Sequence, residues 1–287
     1  MMSVKSRITQ VPGLSGLARW YGRTMTDRDN NRVIRSIAGS PYRQGVAIAD
    51  AVRSIGLPMG GEEERDVAAI EELRGQYANH TGLLIDGSLG PGGLYDQGIT
   101  VGRAFAASKP VKACRFLYKL VRFLKPDVIL ELGTNTGISS AYMASALRRN
   151  GNGRLVTLDA SPYRQKIART VHQGLNLANV EYVTGLFTDT LASVLDELKR
   201  VDLAFIDGHH QYQPTLDYFA LIEPYCAPDG VCMFDDIRWS AGMEQAWKEL
   251  QHDQRTGLSV DLNAMGLTTL RRDDIGGPFV MKQLYSL

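Results

Sequence analysis

Cysteine, long apolar runs and an excess of one charge are all scarce in this sequence. Only three of the 287 residues are cysteines, and they do not have the spacing of a metal site. No apolar run approaches the roughly 20 residues of a membrane-spanning helix, and the first residues, "MMSVKSRITQVPGLSG", lack the apolar core of a signal peptide. We therefore expect a protein of the reducing cytoplasm that has no membrane association.

The charge balance excludes a general polyanion-binding surface. Lysine and arginine number 32 against 31 acidic residues, a formal net charge of +1, so the protein has no overall field that would hold a nucleic acid. A hydrophobic content of 44% and a charged content of 22% are ordinary for a globular protein and disfavour coiled coil, collagen and disorder. We expect a small-molecule substrate and no nucleic acid. The oligomeric state stays open, with a homo-oligomer as one option.

Residues 1–108 predict a helical extension that differs from the rest of the chain. The stretches "SPYRQGVAIADAVRSIG" and "GEEERDVAAIEELRGQYANH" carry apolar residues at helical spacing. Between positions 86 and 98 the stretch "DGSLGPGGLYDQG" contains five glycines and a proline, which predict a long loop. We hypothesise that this loop is a lid over the substrate, with a simple linker as the alternative.

Residues 109–287 alternate helical segments with short apolar runs. This alternation predicts an α/β fold: a doubly wound, mostly parallel, Rossmann-like sheet with helices on both faces. Two further strand-like runs near the C-terminus, joined by a turn at Gly276 and Gly277, predict a closing antiparallel hairpin. The five central strands are predicted at "VILEL", "GRLVTLD", "VEYVTG", "VDLAFID" and "GVCMFDD".

The loop "ELGTNTG" after the first of these strands indicates the kind of ligand. In a doubly wound sheet, ligands bind beyond the carboxyl ends of the strands, where Gly133 and Gly137 allow a tight turn and close backbone approach. A dinucleotide loop reads G-x-G-x-x-G, whereas this one reads G-x-x-x-G, and Glu131 before it would repel a pyrophosphate but attract an ammonium group. Asp159 ends the second strand, where an acid can accept both ribose hydroxyls. A nucleoside with a cationic amino-acid tail, S-adenosylmethionine, satisfies both carboxylates.

These residues resemble the class I S-adenosylmethionine-dependent methyltransferases, over about Lys112 to Leu287. The resemblance is closest to small-molecule O-methyltransferases of the catechol and macrocin types. It implies that the glycine loop holds the methionine end of the cofactor, that Asp159 holds the ribose, and that "GLFTD" lines the adenine. The cofactor-binding residues expected from it are Glu131, Gly133, Thr134, Asn135, Gly137, Ser139, Asp159, Ala160, Gly185, Leu186, Phe187 and Asp207.

Three acids at strand ends predict the reacting part of the site. Asp207 closes the fourth strand, and Asp235 and Asp236 close the fifth, so we expect them around one crevice, where their mutual repulsion calls for a cation such as Mg²⁺. The resemblance agrees, since metal-dependent O-methyltransferases use acids at these places to bind a substrate hydroxyl. His210 stands where the catechol enzymes have a lysine and the macrocin type has a histidine. We expect His210 and Asp207 to be catalytic, with His210 as the base.

The sequence therefore predicts methyl transfer from S-adenosylmethionine to a hydroxyl of a small molecule, assisted by Mg²⁺. The main alternative is a metal-independent N- or O-methyltransferase on the same fold. An NAD-dependent oxidoreductase is more remote, because the loop pattern and Glu131 disfavour it. A non-catalytic cofactor-binding protein would have no need for the three acids. The acceptor itself is not identified by any motif.

Overall fold

The structure is a computed structural model that describes residues 30–84, 99–271, 273–275 and 278–281. The glycine-rich segment predicted as a lid, 86–98, lies outside the described residues, as does the predicted turn at Gly276 and Gly277. Among the helices that are described, none is both long enough and apolar enough to cross a membrane.

In the described part of residues 1–108 there are four helices, which confirms the helical character predicted for this part of the chain. The helix that begins at Gly61 has an acidic first turn, Glu62, Glu63 and Glu64, where negative charge stabilises the exposed amide groups. A two-stranded antiparallel ribbon lies between the third and fourth helices. The elements are α1 (30–38), α2 (Gln44–Arg53), α3 (Gly61–Tyr77), β1 (Leu83–Leu84), β2 (Ile99–Thr100) and α4 (Val101–Ala106).

The remaining elements form the predicted sheet of strands alternating with helices. Eight strands pair in the order β10-β8-β9-β7-β6-β3-β4-β5, and within the described residues β9 alone runs antiparallel to its neighbours. The elements are α5 (Val111–Leu124), β3 (Val128–Leu132), α6 (Ile138–Asn150), β4 (Arg154–Asp159), α7 (Pro162–Gly174), β5 (Val180–Thr184), α8 (Phe187–Leu198), β6 (Val201–Ile206), α9 (Tyr212–Ile222), β7 (Cys226–Phe234), α10 (Ala241–His252), β8 (Thr256–Asp261), β9 (Gly266–Leu270) and β10 (Phe279–Met281).

Side chains of β3 alternate between two hydrophobic cores, one on each face of the sheet. Ile129 lies in the core that also contains Phe116 of α5, whereas Leu130 lies in the core that contains Leu195 of α8. This alternation follows from the two-residue period of a strand and explains why β3 reads as a continuous apolar run. Helix α5 stops at Lys125, which has a left-handed φ of 52°, directly before Pro126.

The C-terminal hairpin is present, but its position differs from the prediction. Strands β8 and β9 pair antiparallel, and the second half of β8 and all of β9 lie in the single run "SVDLNAMGLTTL". The turn between them is made by Asn263, whose φ is 70° and whose amide donates to Asp261 Oδ1 at 2.8 Å. Strand β10, predicted as the second arm of the hairpin, instead pairs parallel with β8. The turn of the hairpin is therefore made at Asn263 and not at the glycine pair that the sequence predicts.

The N-terminal helices share a core with the sheet. Ile48 of α2 and Ile70 of α3 belong to the same buried cluster as Met143 of α6 and Val260 of β8. The division of the chain at residues 108 and 109 stays a prediction.

Candidate active site

The predicted site residues lie at the carboxyl ends of the central strands. Strand order reverses between β3 and β6, since β4 and β5 lie to one side of them and β7 to the other. Such a switch point leaves a crevice beyond the strand ends. Backbone hydrogen bonds join the residues there: the Asp207 amide donates to Leu132 O at 2.9 Å, and the Asp235 amide donates to Ile206 O at 3.0 Å.

The glycine loop, residues 133–137, turns sharply at the end of β3. Gly133 has a φ of 105° and Gly137 a φ of 81°, conformations that favour glycine. The Gly133 amide donates to Leu158 O at 2.9 Å, which ties the loop to β4. A β-carbon on Gly133 would lie 2.1 Å from the carbonyl oxygen of Asp207. Glycine at position 133 therefore allows the backbone of the glycine loop to approach the backbone of Asp207 closely.

Glu131 is fully buried beneath this loop. Its Oε1 accepts from Ser139 Oγ and its Oε2 from Thr157 Oγ1, both at 2.6 Å. Thr134 Oγ1 in turn lies 2.6 Å from Thr157 Oγ1. Burial raises the pKa of Glu131 to about 8, although the two hydroxyl hydrogen bonds act in the opposite direction. Both carboxyl oxygens are thus engaged within the protein, and a direct contact of Glu131 with the cofactor stays a prediction.

The raised pKa of Glu131 makes stability depend on pH. Between the ordinary value of 4.5 and about 8, the folded protein holds a proton that the unfolded chain has lost, so stability falls as pH rises through this window. The limiting slope is about 1.4 kcal/mol per pH unit. Relative to wild type, the free energy of unfolding of Glu131→Gln should rise by about 2 kcal/mol between about pH 6 and about pH 8. Urea denaturation at several pH values measures this difference, and parallel stability curves for the two proteins would contradict it.

Asp159 closes β4 and organises the backbone around it. Its Oδ2 accepts from the Asn135 amide and its Oδ1 from the Ser161 amide, both at 2.8 Å. Arg164 Nη1 donates to Asn135 Oδ1 at 2.6 Å, which holds the other side of the glycine loop. Asp159 therefore already connects the two loops that the resemblance assigns to the cofactor. Ala160 follows it and is partly exposed.

The segment expected to line the adenine follows β5. Gly185 has a φ of 150°, and its amide donates to Asp159 O at 3.0 Å. This turn therefore lies beside the acid that is predicted to bind the ribose. Leu186 is exposed and caps helix α8, while Phe187 packs edge-on against Tyr218 with ring centroids 5.6 Å apart. The structure therefore brings Gly185, Leu186 and Phe187 to the same edge of the sheet as Asp159.

Asp207, Asp235 and Asp236, hereafter the acid cluster, come together as expected, with His210 beside them. His210 Nε2 lies 3.7 Å from Asp207 Oδ1 and 3.9 Å from Asp236 Oδ2. Asp235 is fully buried, and its Oδ1 accepts no hydrogen bond from the described residues. Burial raises the pKa of Asp207, an effect that the positive charge of Lys109 partly offsets.

Lys109, which we had not predicted, places its ammonium inside the acid cluster. Its Nζ contacts Asp235 Oδ2 and lies 4.0 Å from Asp207 Oδ2 and 3.9 Å from Asp236 Oδ1. Mg²⁺ needs carboxylate oxygens at about 2.1 Å in octahedral geometry. Within the described part of the chain, no group of three or more His, Cys, Asp or Glu side chains has the arrangement of a metal site. The acid cluster, as arranged around Lys109, does not fit Mg²⁺.

His210 and its neighbour His209 face different surroundings. His209 Nδ1 lies 2.8 Å from the hydroxyl oxygen of Tyr218, and burial lowers the pKa of His209. His210 faces the acid cluster and lies beside Trp239, with ring centroids 6.3 Å apart. Trp239 is 60% exposed, which is unusual for so large an apolar side chain next to a buried polar cluster. The geometry favours His210 over His209 as the residue available for proton transfer.

Sequence reasoning missed the segment that carries Lys109. Ser108 Oγ lies 2.7 Å from Thr136 Oγ1 of the glycine loop, and Arg74 Nη1 donates to Lys109 O at 2.8 Å. No motif marks this segment, because "SKP" before a helix reads as an ordinary helix start. The proximity of Lys109 to the three acids follows only from the fold, which brings the start of α5 against the ends of β6 and β7.

Comparison with known proteins finds similarity to methyltransferases. Residues 130–237 match the family model described as a methyltransferase domain. The chain is 30% identical to a catechol O-methyltransferase of Niastella koreensis over 125 residues, which are 43% of this chain and 55% of that protein. Curated relatives are matched over 42% to 64% of their own lengths.

Two solved structures have the same fold. One is an O-methyltransferase from Bacillus cereus in complex with SAH (TM-score 0.52, 22% identity, covering 77% of this chain and 95% of that one). The other is an SAH-bound methyltransferase from Podospora anserina (TM-score 0.54, 15% identity, covering 75% and 98%). The chain therefore contains a segment, 130–237, that matches a methyltransferase domain, it is similar in sequence to O-methyltransferases over less than two thirds of their length, and it has the fold of these two solved structures.

Proposed function

We propose that this protein transfers the methyl group of S-adenosylmethionine to a hydroxyl oxygen of a small molecule. The observation that carries the proposal is the position of the acid cluster and His210, which lie beside the glycine loop at one edge of the sheet. A cofactor held by the loop and a hydroxyl held by the cluster would then be neighbours. The named activity of the catechol O-methyltransferase relative supports an oxygen acceptor.

The proposed cofactor site uses the residues that surround the glycine loop. Asp159 would accept from the ribose hydroxyls, and the amides at the start of α6 would face the amino-acid end. Gly185 and Leu186 would lie along the adenine. The SAH found in two structural neighbours supports this choice of cofactor.

The reaction needs one proton acceptor. The hydroxyl oxygen attacks the methyl carbon, the methyl–sulfur bond breaks with its electron pair passing to sulfur, and the cofactor leaves as a neutral thioether. The hydroxyl proton passes to His210 Nε2, with the other imidazole proton on Nδ1. Asp207 and Asp236, 3.7 and 3.9 Å from Nε2, would then stabilise the imidazolium. Mg²⁺ has no part in the proposed step, because Lys109 lies where the ion was expected.

Trp239 is the proposed wall of the acceptor pocket. Its ring lies next to His210 and is largely exposed, so it presents a flat apolar surface at the point where the hydroxyl would arrive. An aromatic or otherwise planar acceptor could stack on this surface.

Calorimetry tests the cofactor half of the proposal. We expect one molecule of SAH to bind and NAD not to bind. Asp159→Ala should weaken SAH binding by about 5- to 150-fold, because the ribose hydroxyls lose a charged acceptor. Glu181→Ala, an exposed acid on β5, is the control and should leave the affinity unchanged. Tight NAD binding, or equal SAH affinity in the Asp159 variant, would contradict the proposal.

Mass spectrometry tests the acceptor half. The protein is incubated with S-adenosylmethionine and a library of hydroxylated and aminated small molecules, and products heavier by one methyl group are sought. Methylation confined to amines would replace the hydroxyl acceptor by a nitrogen acceptor.

A further inference from the structure

Lys109 places a positive charge in the acid cluster, and the proposed proton transfer to His210 does not involve this charge. Its ammonium lies among the three carboxylates of the acid cluster, and its side chain is only 14% exposed. Buried carboxylates this close repel each other strongly unless a cation lies between them. Asp235, which is fully buried, has the Lys109 ammonium in direct contact with its Oδ2. The protein thus supplies a cation for the cluster from its own chain.

The position of Lys109 is not explained by the helix that it precedes. A cation next to a helix N-terminus is disfavoured by the helix dipole, so α5 alone would direct the ammonium elsewhere. The backbone is nevertheless held from two sides. Arg74 of α3 donates to Lys109 O at 2.8 Å, and Ser108 Oγ lies 2.7 Å from Thr136 Oγ1 of the glycine loop. The side chain therefore starts from a fixed point and extends into the acid cluster.

A divalent ion and this ammonium would compete for the same oxygen. The ammonium contacts Asp235 Oδ2 and lies within 4.0 Å of the other two acids, so a second cation among them would be strongly repelled at low dielectric. Lysine keeps three N–H donors, of which the contact with Asp235 engages only part. Asp207 lies 4.0 Å from this ammonium through Oδ2 and 3.7 Å from His210 Nε2 through Oδ1, so the ammonium and the imidazole approach the same carboxylate.

We infer that Lys109 replaces the divalent metal in this active site. Its ammonium compensates the acid cluster and donates to the acceptor oxygen, where it stabilises the negative charge that develops as the hydroxyl proton passes to His210. Methyl transfer is then independent of divalent metal. The role in transfer rests on the proposed function, whereas the cation site can be tested without any acceptor.

Titration with Mn²⁺, followed by electron paramagnetic resonance on the full chain, tests the cation site. Wild type, Lys109→Arg and the control Lys112→Met, which changes a lysine three residues along the chain, should show no site tighter than about 1 mM. Lys109→Met removes the charge at similar length and should expose a site at least about tenfold tighter. A stoichiometric Mn²⁺ site in wild type that Mg²⁺ displaces and Asp235→Asn removes would overturn the inference. The wild-type titration decides this even if Lys109→Met does not fold.

The transfer reaction provides the second test, with an acceptor found by the mass-spectrometric screen. Excess EDTA should change the wild-type rate by less than about twofold. Lys109→Met should lower kcat by about 100-fold while the Kd for SAH stays within about threefold, and Lys109→Arg should restore part of kcat. A purely structural ion pair would not separate kcat from SAH affinity in this way. Loss of activity in EDTA that Mg²⁺ restores, or full kcat in Lys109→Met, would overturn the inference. Absence of any methylated product would instead contradict the proposed function and leave the Mn²⁺ result valid.

Discussion

Gly133→Ala is expected to lower the free energy of unfolding by at least about 4 kcal/mol. The new β-carbon would lie 2.1 Å from the carbonyl oxygen of Asp207. Neither group can move aside easily, because both are at the ends of paired strands whose register runs to Leu132 and Ile206. The φ of 105° at Gly133 adds strain for any residue with a side chain. Urea denaturation of wild type and variant measures the loss.

Gly151 offers a matched control for this substitution. It also has a left-handed backbone, with a φ of 86°, but a β-carbon there would meet no atom within 4 Å. Gly151→Ala should therefore lose only about 1 to 2 kcal/mol, the conformational cost alone. The folded fraction of the Gly133→Ala protein should also bind SAH more weakly than wild type, since the glycine loop would be displaced. Equal losses of stability in the two variants would show that the approach to Asp207 is not tight.

The role of Gly133 shows what the sequence could and could not predict at this site. A glycine directly after a buried strand indicates a tight turn and an approach to a ligand. The contact with the Asp207 backbone could not be inferred, because it depends on β6 pairing directly beside β3. The convergence of the three acids was predictable, since parallel strands place their carboxyl ends at one edge. Lys109 comes from outside the sheet, and no periodicity connects it to the acids.

The strands show a similar division between local and tertiary signals. Runs such as "VILEL" are apolar on both faces and bounded by turn residues, so β3 is found where it was predicted. Strand β7 begins earlier, at Cys226, and includes the turn-like residues Pro228, Asp229 and Gly230. Its register with β6 shifts between Val201 and Leu203, so the extra residues form an irregularity within the strand. Local propensity could not show that a neighbouring strand would hold them.

Asp66→Ala, a change outside the candidate active site, is expected to lower the free energy of unfolding by about 2 to 4 kcal/mol. Asp66 lies on α3, and its carboxylate is only 4% exposed. Its Oδ1 accepts from Arg148 Nη2 at 3.0 Å, and Arg149 binds both oxygens at 2.7 and 2.8 Å. Tyr118 of α5 donates to Oδ2 at 2.9 Å. Because the two arginines are partly exposed, the loss stays below that of a fully buried ion pair.

Glu62→Ala is the control for Asp66→Ala, because Glu62 pairs with the same arginine from an exposed position. It lies one turn earlier on α3 and pairs with the same Arg149 at 2.8 Å, but its side chain is 64% exposed. Glu62→Ala should therefore change stability by less than about 1 kcal/mol. Equal effects of the two variants would show that α3 is held by apolar packing alone.

Acid provides the second test of the Asp66 site. Burial alone would raise the pKa of Asp66, but hydrogen bonds from Arg149 and Tyr118 and the arginine charges lower it from 3.8. The stabilisation is then complete above this ordinary value and is lost as pH falls through the lower folded pKa. The stability gap between wild type and Asp66→Ala should stay constant from neutral pH down to about pH 4 and narrow below it. A gap that widens in acid would contradict a lowered pKa of Asp66 in the folded protein.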